Sequence, residues 1–178
     1  MKSIYFVLIV AFICCVSGSL HAQTIKWDTN TPLTWTDFSG TIDKNNPYYA
    51  HTQARINYNY KWRKSDYLFT YEFKIDAGFE KNASWVRPGK ESPELLQHEQ
   101  LHFDISELFA RKLSVAFNTK KYTANYEQEI KDIFAQIMKE VGAMQEKYDA
   151  ETNHSANKDK QQEWETYVKE QLKQTPSY

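Results

Sequence analysis

The sequence predicts an α+β domain in which a small antiparallel or mixed sheet packs on helices. Residues 54–75 hold two runs in which apolar and polar side chains alternate, and a period of two is typical of half-buried strands. From residue 92 onward, apolar residues recur three and four positions apart, which is typical of amphipathic helices. Because the strands precede the helices along the chain, the pattern favours an α+β fold.

The first 22 residues are typical of a secretory signal peptide. Lys2 precedes an uncharged apolar run over residues 4–16, and small and polar residues follow up to Ala22. The run is shorter than the roughly 20 residues that a membrane-spanning helix needs. We therefore predict cleavage near Ala22 and one domain over residues 23–178, secreted or periplasmic, with no stable membrane span. An uncleaved N-terminal anchor is the alternative.

The composition excludes several classes of site. Cys14 and Cys15 both lie in the predicted signal peptide, so the mature chain offers no disulfide, no thiolate nucleophile and no cysteine metal ligand. A formal net charge of −1 gives no electrostatic basis for nucleic-acid binding. The aromatic content of 15% supplies ample apolar area for a core.

The strands are predicted from three stretches of sequence. Residues 23–40 are rich in Trp, Thr and Asp, and they predict short strands and turns. In the first alternating run, Ile56 and Tyr60 share one face. The second run covers residues 67–75, and a turn at residues 64–66 separates the two. Together the two runs predict an antiparallel pair.

Three helices are predicted after the strands. Ser92 is suited to cap the first helix and Pro93 to occupy its first turn, and the apolar spacing continues to about Phe117. A second, long helix spans roughly residues 126–148, with one continuous apolar stripe. The tail beyond it is polar enough for a flexible end, but an apolar stripe within residues 164–172 predicts a last helix.

The first predicted helix contains the sequence His98-Glu99-Gln100-Leu101-His102. Residues four apart share one face of a helix, so His98 and His102 can ligate one ion, with Glu99 beside it. Zinc lowers the pKa of a water ligand to roughly 7, and Glu99 can take that proton as general base. We predict a hydrolase that uses one Zn²⁺. The alternative, two core histidines satisfied by hydrogen bonds, requires costly burial of these polar groups without a metal.

A third ligand is expected outside this motif, because a catalytic zinc usually has three protein ligands. The residues by themselves leave several candidates open, and His154 is favoured only slightly among them. The candidates are His51, Glu107, Asp149, Glu151 and His154.

Three nearby residues have possible supporting roles. Asp104 or Asp149 could accept a hydrogen bond from a ligand imidazole and fix its tautomer, and a solvated helix carboxylate is an equally good interpretation of each. Tyr148 could donate a hydrogen bond to an oxyanion. Since Tyr148 also completes the apolar stripe of the second helix, a core position is favoured for it.

Four blocks of the sequence, at residues 33–40, 84–86, 98–105 and 148–164, form a recognisable set. They resemble a bacterial family, the domain-of-unknown-function 922 family, whose members are secreted proteins predicted to be zinc-dependent proteases. The resemblance covers nearly the whole mature chain and implies that His154 is the third zinc ligand. The last block also contains Gln161 and Trp164, and Ser155 stands where the family usually has glycine.

Three functions follow from this site. The first is a zincin-like metallopeptidase acting on peptides or proteins, with the sheet beside the helix that carries His98, Glu99 and His102. The second is a non-catalytic binding module of the cell envelope that holds a structural zinc through four protein ligands. The third is a hydrolase of non-protein amide bonds, such as those of cell-wall fragments.

Overall fold

The computed structural model describes residues 24–65 and 68–178. A three-stranded antiparallel sheet, a separate two-stranded ribbon and three helices make up this part of the chain. The α+β class and the small antiparallel sheet are therefore confirmed. The predicted signal peptide and its cleavage near Ala22 lie outside the described residues. No helix within the described ranges is long and apolar enough to cross a membrane.

The elements follow one another along the chain with few irregular segments. The strands are β1 (Thr24–Lys26), β2 (Ala50–His51), β3 (Ala54–Ser65), β4 (Leu68–Glu80) and β5 (Trp85–Val86). The helices are α1 (Pro93–Thr119), α2 (Tyr126–Thr152) and α3 (Lys158–Gln174), and a single 3-10 turn covers Trp35–Asp37.

The predicted antiparallel pair is a long hairpin of β3 and β4, and β1 pairs with the other edge of β4. The register places Tyr58 opposite Ile75 and Tyr60 opposite Phe73. These side chains lie on the face of the sheet that α1 covers. Phe73 stacks on Phe117 of α1 with their ring centroids 4.5 Å apart, so aromatic packing holds the helix against the sheet.

Helix α1 begins as predicted and forms the centre of the molecule. The Ser92 hydroxyl accepts a hydrogen bond from the backbone N–H of Leu95 at 3.1 Å, and Pro93 occupies the first turn. The helix ends at Thr119, slightly beyond the predicted end. It packs against the sheet on one side and against α2 and α3 on others, so that Ile105 is fully buried.

Helices α2 and α3 complete the core. The apolar stripe predicted for α2 is buried at Ile130, Ile137 and Val141, and α2 extends past the predicted end because Thr152 is also fully buried. The Thr152 hydroxyl donates to the carbonyl of Tyr148 at 2.7 Å, which satisfies that hydroxyl inside the core. The polar tail does fold into the predicted last helix.

A strained turn joins α2 to α3. Asn153, His154 and Ser155 all have positive φ angles, of 47°, 49° and 75°. Asn tolerates this left-handed region better than other residues with a side chain, whereas Ser does not. The glycine expected from the family resemblance at position 155 would remove the steric cost there. The turn nevertheless holds His154 at the end of α2, beside the candidate site.

We predict that Ser155→Gly stabilises the protein by about 1 kcal/mol, because it relieves the left-handed strain at the cost of a more flexible unfolded chain. The measurement is the midpoint of urea unfolding in the presence of a chelator, with an unchanged m-value. Ser155→Ala is the matched control and should give no gain, since alanine keeps the Cβ. A Ser155→Gly protein less stable than its parent would contradict this account of the turn.

Candidate metal centre

Two imidazole nitrogens from adjacent turns of α1 point at one another. The Nε2 atoms of His98 and His102 are 3.2 Å apart, and the two rings are nearly perpendicular. Residues four apart on a helix are neighbours on its surface, which brings the rings together. Two nitrogens bound at roughly 2.0–2.1 Å to one tetrahedral ion would lie about 3.3–3.4 Å apart. The observed separation therefore fits two ligands of a single metal ion.

A carboxylate from α2 completes a compact group of three. Asp149 Oδ1 lies 3.1 Å from His98 Nε2 and 3.0 Å from His102 Nε2. The three ligand atoms all lie within 4.8 Å of one another. His98 is almost fully buried, whereas Asp149 retains some exposure toward solvent. Two imidazoles and one carboxylate form a donor set that zinc accepts in proteins.

Gln161 of α3 fixes the tautomer of His98. Its Oε1 atom lies 3.1 Å from His98 Nδ1, and an amide oxygen can only accept. The neutral imidazole therefore carries its proton on Nδ1 and a lone pair on Nε2. The orientation of the amide is set independently, because Gln161 Nε2 donates to Glu165 at 2.9 Å and Tyr148 donates to Oε1 at 2.8 Å.

Gln145 of α2 fixes the tautomer of His102 in the same way. Its Oε1 atom accepts from His102 Nδ1, and its Nε2 atom donates to the carbonyl oxygen of His102 at 2.8 Å. Since each Nδ1 donates to a glutamine, both Nε2 atoms face each other and the carboxylate of Asp149. When both rings are neutral, the lone pairs of these three atoms repel one another, and a cation placed among them, a proton or a metal ion, removes that repulsion.

The electrostatics of the group favour a positive charge at this point. Burial lowers the pKa of His102, but the hydrogen bond to Asp149 and the charges of Glu99 and Asp149 outweigh it and hold that pKa above its usual value. Burial likewise raises the pKa of Asp149, yet its hydrogen bonds to His102 and His98 dominate and hold it well below the usual range. The same surroundings that retain a proton at His102 would also attract a metal ion.

Glu99 lies next to this group with an unsatisfied oxygen. The residue is only 4% exposed, and its Oε2 atom is buried without a hydrogen-bond partner among the described residues. A buried carboxylate oxygen without a partner is costly, so its retention needs a reason. Glu99 lines the same cleft as His98 and His102, so a molecule bound there would lie beside its carboxylate. The donor set and this orphan oxygen together fit a zinc site with a neighbouring general base.

A cleft of about 670 Å³ opens over the group. One wall is the chain segment at 50–53, which includes β2, and the floor is the part of α1 that carries His98 and Glu99. The opposite wall is α2, through a row of residues from Met138 to Asp149. A molecule bound in this cleft would therefore contact the candidate metal centre.

His154 lies at the edge of the group. Its Nδ1 atom is 3.5 Å from Asp149 Oδ1, and its ring packs on Tyr48 with centroids 3.8 Å apart. The compact group of three does not include it, and a third of its side chain is exposed. The third ligand implied by the family resemblance stays a prediction, while Asp149 is the candidate that the structure brings to both imidazoles.

The other third-ligand candidates have different partners. Glu107 forms an ion pair with Arg111 at 2.7 Å. Glu151 accepts a hydrogen bond from the indole N–H of Trp164 at 2.9 Å. His51 lines the cleft, but the compact group does not contain it.

Asp104 and Tyr148 have contacts of their own. Asp104 accepts hydrogen bonds from the indole N–H of Trp27 and the amide of Gln100, at 2.7 and 2.8 Å, which ties the N-terminal segment to α1. Tyr148 is fully buried beneath the imidazoles and stacks on the ring of His98 at 4.6 Å. Its hydroxyl donates to Gln161 Oε1 at 2.8 Å, and the backbone carbonyl oxygen of His98 is a second, more distant acceptor at 3.2 Å. These contacts favour the core position for Tyr148 over a role at an oxyanion.

The two glutamines that orient the imidazoles were not predicted from the sequence. Gln145 precedes Asp149 by four residues, so helical spacing places both on one face of α2. That spacing was the available signal for Gln145, but it becomes informative only once Asp149 is known to face the histidines. Gln161 belongs to the last of the four blocks that carry the family resemblance, yet nothing in that block indicates its partner.

The comparisons with known proteins place the chain in a family. A family model described as bacterial protein of unknown function (DUF922) matches residues 25–155, and the chain belongs to that family. The matched region contains the histidine pair, Glu99, Asp149 and His154, and it ends before α3. No curated protein and no solved structure matches the chain.

We predict that Gln161→Met lowers the free energy of unfolding by about 1–3 kcal/mol even without metal. The thioether keeps the volume but cannot accept strongly, so the buried N–H of His98 and the hydroxyl of Tyr148 lose their shared partner. Gln162→Met is the matched control, because Gln162 is the exposed neighbour on α3, and it should change stability little. Equal effects of the two variants in urea unfolding would show that the hydrogen bonds contribute nothing.

Proposed function

We propose that the protein is a zinc-dependent hydrolase of the zincin-like kind, and that its substrates are peptides. The observation that carries the proposal is the convergence of His98 Nε2, His102 Nε2 and Asp149 Oδ1 at the base of an open cleft. The unpartnered oxygen of Glu99 beside them supports a hydrolytic role. If the buried histidines only stabilised the fold, there would be no reason for that oxygen to lack a hydrogen bond among the described residues.

The residues of the chain divide the chemistry among them. A bound zinc ion supplies Lewis acidity, which lowers the pKa of water to roughly 7 and polarises a carbonyl oxygen. Glu99 accepts the proton of the attacking water and later delivers it to the leaving amine. Gln161 and Gln145 keep both imidazoles in the tautomer that presents Nε2. Burial of Glu99 excludes bulk water, so its carboxylate is not occupied by a competing solvent network.

The position of β2 along the cleft supports a peptide as the substrate. The backbone N–H of Arg87 donates to the carbonyl of Tyr49 at 2.7 Å, which makes these two residues a hydrogen-bonded pair of the β2–β5 ladder. Alternation along an antiparallel ladder then turns the N–H and C=O of Ala50 away from β5. Ala50 and Thr52 both line the cleft. An extended peptide can pair with this edge and lie across the candidate metal centre.

One observation favours a second function. His154 lies near enough to Asp149 to bring a fourth protein donor to the ion. Four protein ligands without a water are typical of a structural zinc, which would make the protein a binding module of the cell envelope. X-ray absorption of the zinc-loaded protein distinguishes the two: three protein donors and a water support the hydrolase, and four protein donors support the module.

We predict that Asp149→Ala lowers zinc affinity at least about 100-fold, as His102→Ala does, because each removes a ligand. His154→Ala should lower it by no more than about tenfold. Competition with a fluorescent chelator gives the dissociation constants, and His51→Ala is the control that lines the cleft without joining the group. If His154→Ala lost as much affinity as His102→Ala while Asp149→Ala lost little, the ligand set implied by the family resemblance would replace ours.

We predict that Glu99→Gln keeps zinc bound but lowers peptide hydrolysis by about 10²–10⁴-fold, because the amide cannot act as general base. The assay is release of new amino termini from a pool of unfolded proteins, with the zinc content of each sample measured in parallel. Glu94→Gln is the matched control on the exposed first turn of α1 and should retain parental activity. A zinc-loaded Glu99→Gln protein that cleaves as well as its parent would refute the mechanism.

A further inference from the structure

Gly142 lies in the interior of α2 without a local structural reason. Glycine destabilises a helix interior relative to alanine. A Cβ built at Gly142 would meet nothing within 4 Å, and its φ is not positive. At Gly40 and Gly78, by contrast, a Cβ would approach other atoms to 2.8 and 2.5 Å, and Gly89 has a φ of 77°. Packing and backbone geometry therefore explain the other described glycines but not Gly142.

The open space beside Gly142 is the cleft itself. Gly142 lines the cleft in a row with Met138, Gln145 and Asp149, which follow one another at helical spacings of four, three and four. Gln145 orients His102, and Asp149 belongs to the candidate metal centre. The missing side chain at position 142 therefore widens the cleft on the same helix face that supplies the site.

The surroundings of this opening are apolar. Ala54 and Ile56 of β3 and Met138 and Val141 of α2 line the same cleft. Met138 is 38% exposed although it is a large hydrophobic residue, so an apolar surface stands open there. Methionine side chains are flexible and adapt to the shape of a bound group. An apolar group of moderate size is what this part of the cleft would bind.

The distance from the metal centre fits a side chain of the same substrate. Gly142 precedes Asp149 by seven residues, which corresponds to about 10 Å along the helix axis. An extended peptide advances about 3.3 Å per residue, so the opening lies within about three residues of the reacting bond. We infer that Gly142 keeps open a subsite for a Leu- or Phe-sized side chain of a peptide bound along β2. Cleavage of this peptide rests on the proposed function, whereas binding of its side chain in the subsite does not.

Binding is measured with pentapeptides Ac-Ala-Ala-Xaa-Ala-Ala-NH₂, in which Xaa is Phe, Leu or Ala. Titration calorimetry uses the Glu99→Gln protein in zinc-containing buffer, so that no peptide is consumed. We expect the Phe and Leu peptides to bind at least about tenfold tighter than the Ala peptide, because their side chains become buried. Adding Gly142→Leu should remove most of this difference between the peptides.

Two controls separate filling of the cleft from damage to the fold. Ala143→Leu adds the same bulk on the exposed neighbouring position and should leave the Phe preference intact. Gly142→Ala should raise the melting temperature by about 2–4 °C, since alanine favours the helix. It should also weaken binding of the Phe peptide more than that of the Ala peptide.

A Phe preference that is absent, or that survives in the Gly142→Leu protein, would overturn the inference. Failure of the proposed function has a different signature. In that case the parent protein would leave intact the same Phe peptide that the Glu99→Gln protein binds.

Discussion

The structure depends on one constraint: two imidazole nitrogens and a carboxylate oxygen are held close together between helices, although their lone pairs repel one another unless a cation lies among them. Each imidazole is held through its far nitrogen by a glutamine side chain, His98 by Gln161 and His102 by Gln145. Those two hydrogen bonds connect α1 to α3 and α1 to α2. The arrangement that orients the imidazoles is therefore also part of the packing of the three helices.

The rest of the fold holds α1 in the position in which its two imidazoles meet these glutamines. The aromatic face of the β3–β4 hairpin holds one side of α1, and the capped start at Ser92 sets where its first turn begins. The short ribbon of β2 and β5 buries Ala50 and Trp85. The ribbon also contributes to the candidate site, because its strand β2 lies along the cleft. Helices α1 and α2 likewise serve two purposes, because they form the core and also line the cleft.

Much of the fold could be predicted because its signals are local. Alternation identified the hairpin, and Ser92 with Pro93 identified the start of α1. The end of α2 was placed too early, because Thr152 is polar in sequence but becomes buried after its hydroxyl bonds the Tyr148 carbonyl. Burial of that kind depends on α3, which no local pattern around Thr152 reveals.

The candidate site was predictable only where its residues are adjacent in sequence. The pair His98 and His102 and the neighbouring Glu99 follow from one turn of helix. The partners Asp149, Gln145 and Gln161 come from other helices, and carboxylates and glutamines are frequent on any helix surface. Which of them faces the histidines is decided by how α2 and α3 pack on α1, so a spacing rule could not choose among them.

The position of Gln161 in α3 has a consequence for the stage of folding at which the candidate metal centre becomes organised. The helix that carries His98 and His102 is made first, and the residue that orients His98 is supplied by the last helix of the described chain. Until α3 docks, the His98 ring lacks the partner that fixes its tautomer, and Tyr148 beneath it lacks the same acceptor. The orientation of His98 is thus fixed late in folding, and an incompletely folded chain does not yet present the organised group of His98, His102 and Asp149.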